Sequence, residues 1–212
     1  MSNNTRLLAI DPSLTASGWA LFSLASCKPQ QAGVIYPPKS SYPLAYRLKK
    51  LQEEVETLLT EFSFTNSDIL VCEAAATIIR NPMSAMKVER VRGIFETVAR
   101  SNGCLVPGRI NPRTVQSELL GMSGKQLPRK EVKEQARLVA EKLFPQINSN
   151  KKKLPQDVID ALLIGELAIN RIRLAGQTNS PLSAVFDSKE DINQKNYSQN
   201  FNPRNKRKLP RR

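Results

Sequence analysis

The chain has 212 residues, with 32 Lys and Arg against 19 Asp and Glu, a formal charge of +13 and a pI near 9.9. It has no histidine, which excludes Ser-His-Asp and Cys-His nucleophile systems, zinc sites built with His, and nucleases that use a histidine base. So large a cationic surplus points to a polyanionic partner, either nucleic acid or an anionic membrane.

In chain order, Arg6–Asp11 (RLLAID) is a short apolar run that ends in an acid before Pro12, and it reads as a buried strand. Residues 17–24 (SGWALFSL) and 31–36 (QAGVIY) follow after short connections, so an antiparallel three-strand meander is expected. Pro37 and Pro38 end it. Over 44–62, Leu44, Leu48, Leu51, Val55, Leu58, Leu59 and Phe62 repeat at helical spacing, with Lys49, Lys50, Glu53, Glu54 and Glu56 elsewhere. Residues 68–73 (DILVCE) form a second buried-type strand that also ends in an acid. A helix over 82–101 starts behind Asn81 and Pro82.

A short strand is expected at 104–107 (CLVP) and a short helix at 113–120. The loop 121–128 (GMSGKQLP) leads to a helix over 129–144, with Val132, Ala136, Val139 and Leu143 on one face. The basic loop 148–153 (NSNKKK) precedes a strongly apolar helix over 156–174. After Ala175 the chain is rich in Asn, Gln, Ser and Pro, and reads as disordered. It closes on PRNKRKLPRR, six cations without an acid; the rest of the chain still carries +7.

These elements predict an α/β fold: a mixed five-stranded sheet, three antiparallel strands then parallel ones, with helices on both faces. The absence of G-x-G-x-x-G argues against a dinucleotide-binding fold. One domain over 1–175 and a basic tail over 176–212 are expected. Cys27, Cys72 and Cys104 are widely spaced without a C-x-x-C pair, and read as small apolar residues in a reducing compartment. The longest apolar runs fall far short of the ~18 residues that span a bilayer, and MSNNTR has no signal-peptide pattern. A soluble protein of the bacterial cytoplasm, associated with the nucleoid, is the expectation.

Four acids stand out. Asp11 and Glu73 end two strands that can lie side by side in parallel, while Asp157 and Asp160 share one face near the start of the last helix. Alone, Asp11 could initiate a turn and Asp157 could cap a helix. Glu73 and Asp160 lie inside apolar runs, where an unpaired acid is costly. Gathered carboxylates repel one another and rise in pKa unless a cation joins them. Mg²⁺ prefers such oxygen ligands. Two such ions about 3.5–4 Å apart can activate a water and stabilise a leaving oxygen, with no need of an imidazole.

At these residues the sequence resembles the RuvC family of Holliday junction resolvases, within the RNase H-like superfamily. The likeness lies in LLAIDPSLTASGWALF (7–22), LVCEAAA (70–76), NPMSAMKVERVRGI (81–94) and QDVIDALLIG (156–165). It implies an RNase H-like fold in which Asp11, Glu73, Asp157 and Asp160 are the catalytic and metal-binding set. It further implies two Mg²⁺ per site, with Mn²⁺ as a substitute. It also implies a homodimer on a four-way DNA junction, and paired nicks leaving 5′-phosphate and 3′-hydroxyl ends. A branch-migration helicase is a conceivable partner. Where the family commonly places an aromatic wedge after the Glu, this chain has AAATIIRN, with Ile78 or Ile79 as substitutes.

Lys125, Arg129, Lys130 and Lys133 cluster where the family's DNA-contacting lysines lie, with Lys130 the favoured phosphate contact. Arg80, Lys87, Arg109 and Arg113 are further candidates. Residues 151–153 and the terminal basic run are expected to add general affinity through counterion release. The competing readings are a catalytically idle RNase H-like DNA-binding module and an actin-like phosphotransferase. The second would need a further Gly-rich phosphate loop and a longer chain.

Overall fold

In the computed structural model, residues 5–75, 82–122, 128–147 and 153–186 are described. The strands are β1 (Arg6–Asp11), β2 (Ser17–Ser23), β3 (Lys28–Ile35), β4 (Ile69–Glu73) and β5 (Arg109–Ile110). The helices are α1 (Leu44–Glu61), α2 (Pro82–Ser101), α3 (Pro112–Glu118), α4 (Arg129–Leu143) and α5 (Gln156–Thr178). One sheet contains all five strands in the order β3-β2-β1-β4-β5. The β1–β2 and β2–β3 pairs are antiparallel, and β1–β4 and β4–β5 are parallel. This is the mixed sheet that the sequence predicts.

The alternation of each strand divides the core in two. Leu7, Ala9, Ile69 and Val71 pack with α4 and α5 on one face. Leu8, Ile10, Leu70 and Cys72 pack with α1 and α2 on the other. Helix α5 is buried along most of its length, which explains its nearly continuous apolar sequence. Cys72 and Cys104 are buried and Cys27 is half-buried, all three as free thiols. Among the described residues, no helix is long and apolar enough to cross a membrane.

Three expectations need correction. The strand expected at 104–107 is reduced to a single bridge from Leu105 to Ile69. Pro107 cannot donate to a ladder, so regular pairing resumes only at Arg109–Ile110. β3 begins at Lys28 rather than at residue 31, because Pro29 is tolerated on what proves to be an edge strand. The boundary expected at Ala175 falls inside α5. The helix runs to Thr178, a 3₁₀ turn follows at Leu182–Ala184, and Phe186 is buried in the α5-side core. Arg171 fixes this end by donating to the Val185 carbonyl at 3.2 Å and pairing with Glu118 at 2.6 Å. Residues 176–186 therefore belong to the folded domain, and 187–212 lie outside the described residues.

At the end of the sheet opposite the acids, the Arg6 backbone and guanidinium both donate to buried Asp68 (2.7–3.1 Å). The Thr65 amide adds a third partner at 2.8 Å. Burial alone would raise the Asp68 pKa, but the Arg6 and Thr65 hydrogen bonds outweigh it and hold the carboxyl below its ordinary value.

Candidate active site

The register of the sheet brings the first two acids together. Leu7 pairs with Ile69 and Ile10 with Cys72 in the parallel β1–β4 ladder. One step further, Asp11 stands level with Glu73. On its other side Asp11 pairs with Gly18 of β2. Ala9 and Val71 face the α5 side, so two residues on, Asp11 and Glu73 face it as well.

Helix α5 supplies the other two acids, and glycine lets it come close. A Cβ at Gly18 would lie 1.8 Å from the Asp157 carbonyl oxygen, and one at Gly165 would lie 2.1 Å from the Phe22 ring. Only bare backbone at these two positions allows α5 to rest on β2 at this height. Asp157 sits in the first turn of α5, whose N-cap is Pro155, so Asp157 is not the cap. All four acids line one cleft of about 890 Å³.

Their electrostatics reflect crowding and burial. Asp11 is pushed up to about 9 by burial first, then by the charges of Glu73, Asp160 and Asp157, and by a hydrogen bond with Glu73. Glu73 is pushed up to about 7 by burial and Asp160, while Arg92 and the Asp11 hydrogen bond pull it down. Asp11, the more strongly raised of the two, is the one that keeps its proton and donates it to Glu73. Burial also raises Asp160, against the Gln156 amide at 2.8 Å and the charges of Lys133 and Arg129.

Four carboxylates crowded into one cleft make a donor set suited to a hard divalent cation. They are not drawn into a finished cage. No three acidic or cysteine side chains among the described residues stand close enough to hold an ion. Asp11 is engaged with Glu73, and Asp160 with Gln156.

The cations divide sharply. Arg129, Lys133 and Arg113 line the cleft. Lys130 is exposed on α4 and does not line it, being about 100° around the helix from Arg129. Lys87 is likewise exposed off the lining face of α2, which presents Ser84, Val88 and Arg92. Arg109 is no free phosphate ligand. Its guanidinium is bidentate on Glu96 at 2.7 and 3.0 Å and also pairs with Glu89 at 3.0 Å. Arg80 and Lys125, and with them Ile78 and Ile79, lie outside the described residues.

Two supporting residues that fall within the stretches of family likeness had no role assigned from sequence. Arg92 is only 1% exposed, donates from Nε to the Glu73 carbonyl at 2.6 Å, and pairs with Glu89. Its signal was a charged residue at core spacing between Val91 and Phe95. Gln156, one turn before Asp160 on α5, is the other.

The family model described as Crossover junction endodeoxyribonuclease RuvC matches residues 7–169. No curated protein sequence matches the chain. Among solved structures, T. thermophilus RuvC in complex with Holliday junction substrate is similar at TM-score 0.62 and 19% identity, over 81% of this chain and 96% of that one. A Thermus thermophilus RuvC structure gives 0.60 and 18%, over 82% and 97%. The yeast mitochondrial Holliday junction resolvase Ydc2 gives 0.52 and 12%, over 91% and 84%. At these identities the structural likeness speaks for the fold.

Proposed function

The chain belongs to the RuvC family of crossover junction endodeoxyribonucleases, and from that premise we propose that it resolves four-way DNA junctions by paired nicks made in the cleft of Asp11, Glu73, Asp157 and Asp160. The observation that carries this reading is the convergence of those four acids, from two strand ends and one helix, beside Arg113, Arg129 and Lys133.

The four carboxylates would hold the divalent cations, Mg²⁺ with Mn²⁺ as a substitute. When bound, a pair of such ions supplies activation of a water and stabilisation of the leaving oxygen, giving 5′-phosphate and 3′-hydroxyl ends. The chain's own residues do the rest. Asp11 holds a proton against Glu73, and gives it up when the site loads. Arg92 fixes the backbone at Glu73, and Gln156 fixes Asp160. Arg129 and Lys133 offset the charge of Asp160 and are placed to receive a phosphate; Arg113 adds a third cation at the rim. Val115, Val132 and Ile164 form an apolar wall of the same cleft.

One cleft makes one nick. Two symmetric nicks need two clefts, so the acting species is a homodimer on branched DNA. A branch-migration helicase fits as the partner that delivers the junction. The test is a substrate panel: labelled four-way junction, linear duplex and RNA–DNA hybrid, each with and without Mg²⁺. Paired symmetric nicks confined to the junction and to Mg²⁺ are expected. Junction binding without nicking under any divalent cation would contradict the reading and favour an idle DNA-binding module.

A further inference from the structure

The end of the sheet that carries Asp11 has a second surface with no task in the cleft. Tyr36, Tyr42 and Tyr46 are three of the chain's four tyrosines and fall within eleven residues. They are 67%, 52% and 42% exposed. The rings of Tyr42 and Tyr46 already pack on one another, with centroids 5.3 Å apart and planes tilted by 30°. Single exposed aromatics are ordinary, but a packed pair with a third ring beside it in sequence is not scattered exposure.

The fold places this surface near the cleft. Asp11 pairs with Gly18, and Gly18 with Val34. Tyr36, just past Val34, therefore emerges at the acidic end of the sheet, two strand spacings or about 10 Å sideways from β1. Buried Arg47 ties the segment in place. It donates from Nε to the Pro38 carbonyl at 2.8 Å and from Nη2 to the Leu14 carbonyl at 2.7 Å. Leu14 belongs to the β1–β2 turn, whose Ser13 lines the cleft. One guanidinium thus holds the tyrosine segment to the cleft rim.

Residues 36–46 carry Lys39 and no carboxylate, and the first acids that follow, Glu53 and Glu54, lie two turns beyond Tyr46 on α1, where Glu53 pairs with Lys49 and Lys50. Lys39 lies between Tyr36 and Tyr42 and is exposed.

We propose that Tyr36, Tyr42 and Tyr46, with Lys39, form a platform for unpaired nucleotides of the DNA substrate beside the cleft. The proposal rests on reading the cleft as the site of DNA cleavage. Exposed rings stack on any base, and a neighbouring lysine takes the phosphate. A duplex arm has its bases already stacked and offers no free face, so the platform favours single-stranded DNA at a branch point.

The test is equilibrium binding of the full-length chain to a short labelled oligothymidylate and to linear duplex, at low salt without divalent cation. The Tyr42→Ala/Tyr46→Ala variant should lose at least about fivefold affinity for oligothymidylate, the low end of one lost stacking contact, while duplex binding changes by less than about twofold. The Tyr42→Phe/Tyr46→Phe variant keeps both rings and should bind as the parent does. The single Tyr36→Ala variant, read alongside melting temperature, should weaken oligothymidylate binding without loss of fold. Parent-like binding by the double alanine variant overturns the proposal. So does equal loss on both DNAs, or failure of the phenylalanine pair to restore binding. Junction nicking by the parent is scored separately. If nicking fails while oligothymidylate binding depends on the tyrosines, the cleavage reading falls and the platform stands.

Discussion

Gly18→Ala tests how the two halves of the site are joined. The added Cβ would lie 1.8 Å from the Asp157 carbonyl oxygen, whereas an ordinary carbon–oxygen contact is about 3.3–3.6 Å. The obstacle is backbone at the start of α5, so no side chain can swing aside, and the helix start must retreat by about 1.5 Å. Overpacking of this kind costs about 1–3 kcal/mol, which in a domain of this size lowers Tm by roughly 2–12 °C. Chemistry should suffer as well, because a shift of about 1 Å at a reacting centre costs on the order of 100-fold in rate. Calorimetry gives the first quantity, and single-turnover nicking of a four-way junction with protein in excess gives the second. Gly93→Ala is the control. It lies inside α2 with nothing within 4 Å of its added Cβ, so it should stabilise by about 0.5–1 kcal/mol. Parent-like Tm and nicking rate for Gly18→Ala would refute the argument that close approach at Gly18 sets the position of Asp157.

Three further outcomes follow from the same geometry. Asp11 is held near 9 in the folded protein, so at pH 7 it carries a proton that a divalent cation must displace. Glu73, held near 7, is about half protonated there, so calorimetric titration with Mg²⁺ in buffers of different ionisation enthalpy should show roughly one to two protons released per site at pH 7, and none would contradict the assignment. Asp68 titrates below its ordinary value, so its stabilising contribution is complete above about pH 4 and is lost as pH falls through the folded value. Asp68→Asn should therefore flatten the acid limb of a stability-against-pH curve measured by urea unfolding, and an unchanged limb would sink this reading. Lys133 lines the cleft and Lys130 does not. Lys133→Ala should slow single-turnover nicking by about tenfold or more, as expected for loss of a charge-assisted contact, while Lys130→Ala changes it little; the reverse order would show that the face of α4 has been misassigned.

The sheet was legible because its strands are short apolar runs with clear ends. Arg6–Asp11 and Pro82–Ser101 fall where their sequences place them. The four acids were legible because each opens, interrupts or closes an apolar run. What stayed hidden depended on pairings that no local pattern records. Leu105 looked like a strand residue, but Pro107 interrupts the ladder and shifts β5 to Arg109. Arg109 looked like a phosphate ligand until its guanidinium was found on Glu96 and Glu89. Composition marked Ala175 as the end of the fold, yet one phenylalanine, Phe186, brings the chain back to the core. A charge cluster alone could not separate Lys130 from Lys133, because that needs the rotation of α4 against the cleft.

If Asp11, Glu73, Asp157 and Asp160 form one hydrolytic centre for junction DNA, each of them is needed for nicking. Single-turnover nicking of one labelled four-way junction by the parent and by Asp11→Asn, Glu73→Gln, Asp157→Asn and Asp160→Asn tests it most directly, with junction binding measured on the same samples. Junction affinity should stay close to the parent's in all four variants, and the nicking rate should fall by about 100-fold or more in each. A variant of any one of the four that still nicks at the parent's rate would contradict that requirement.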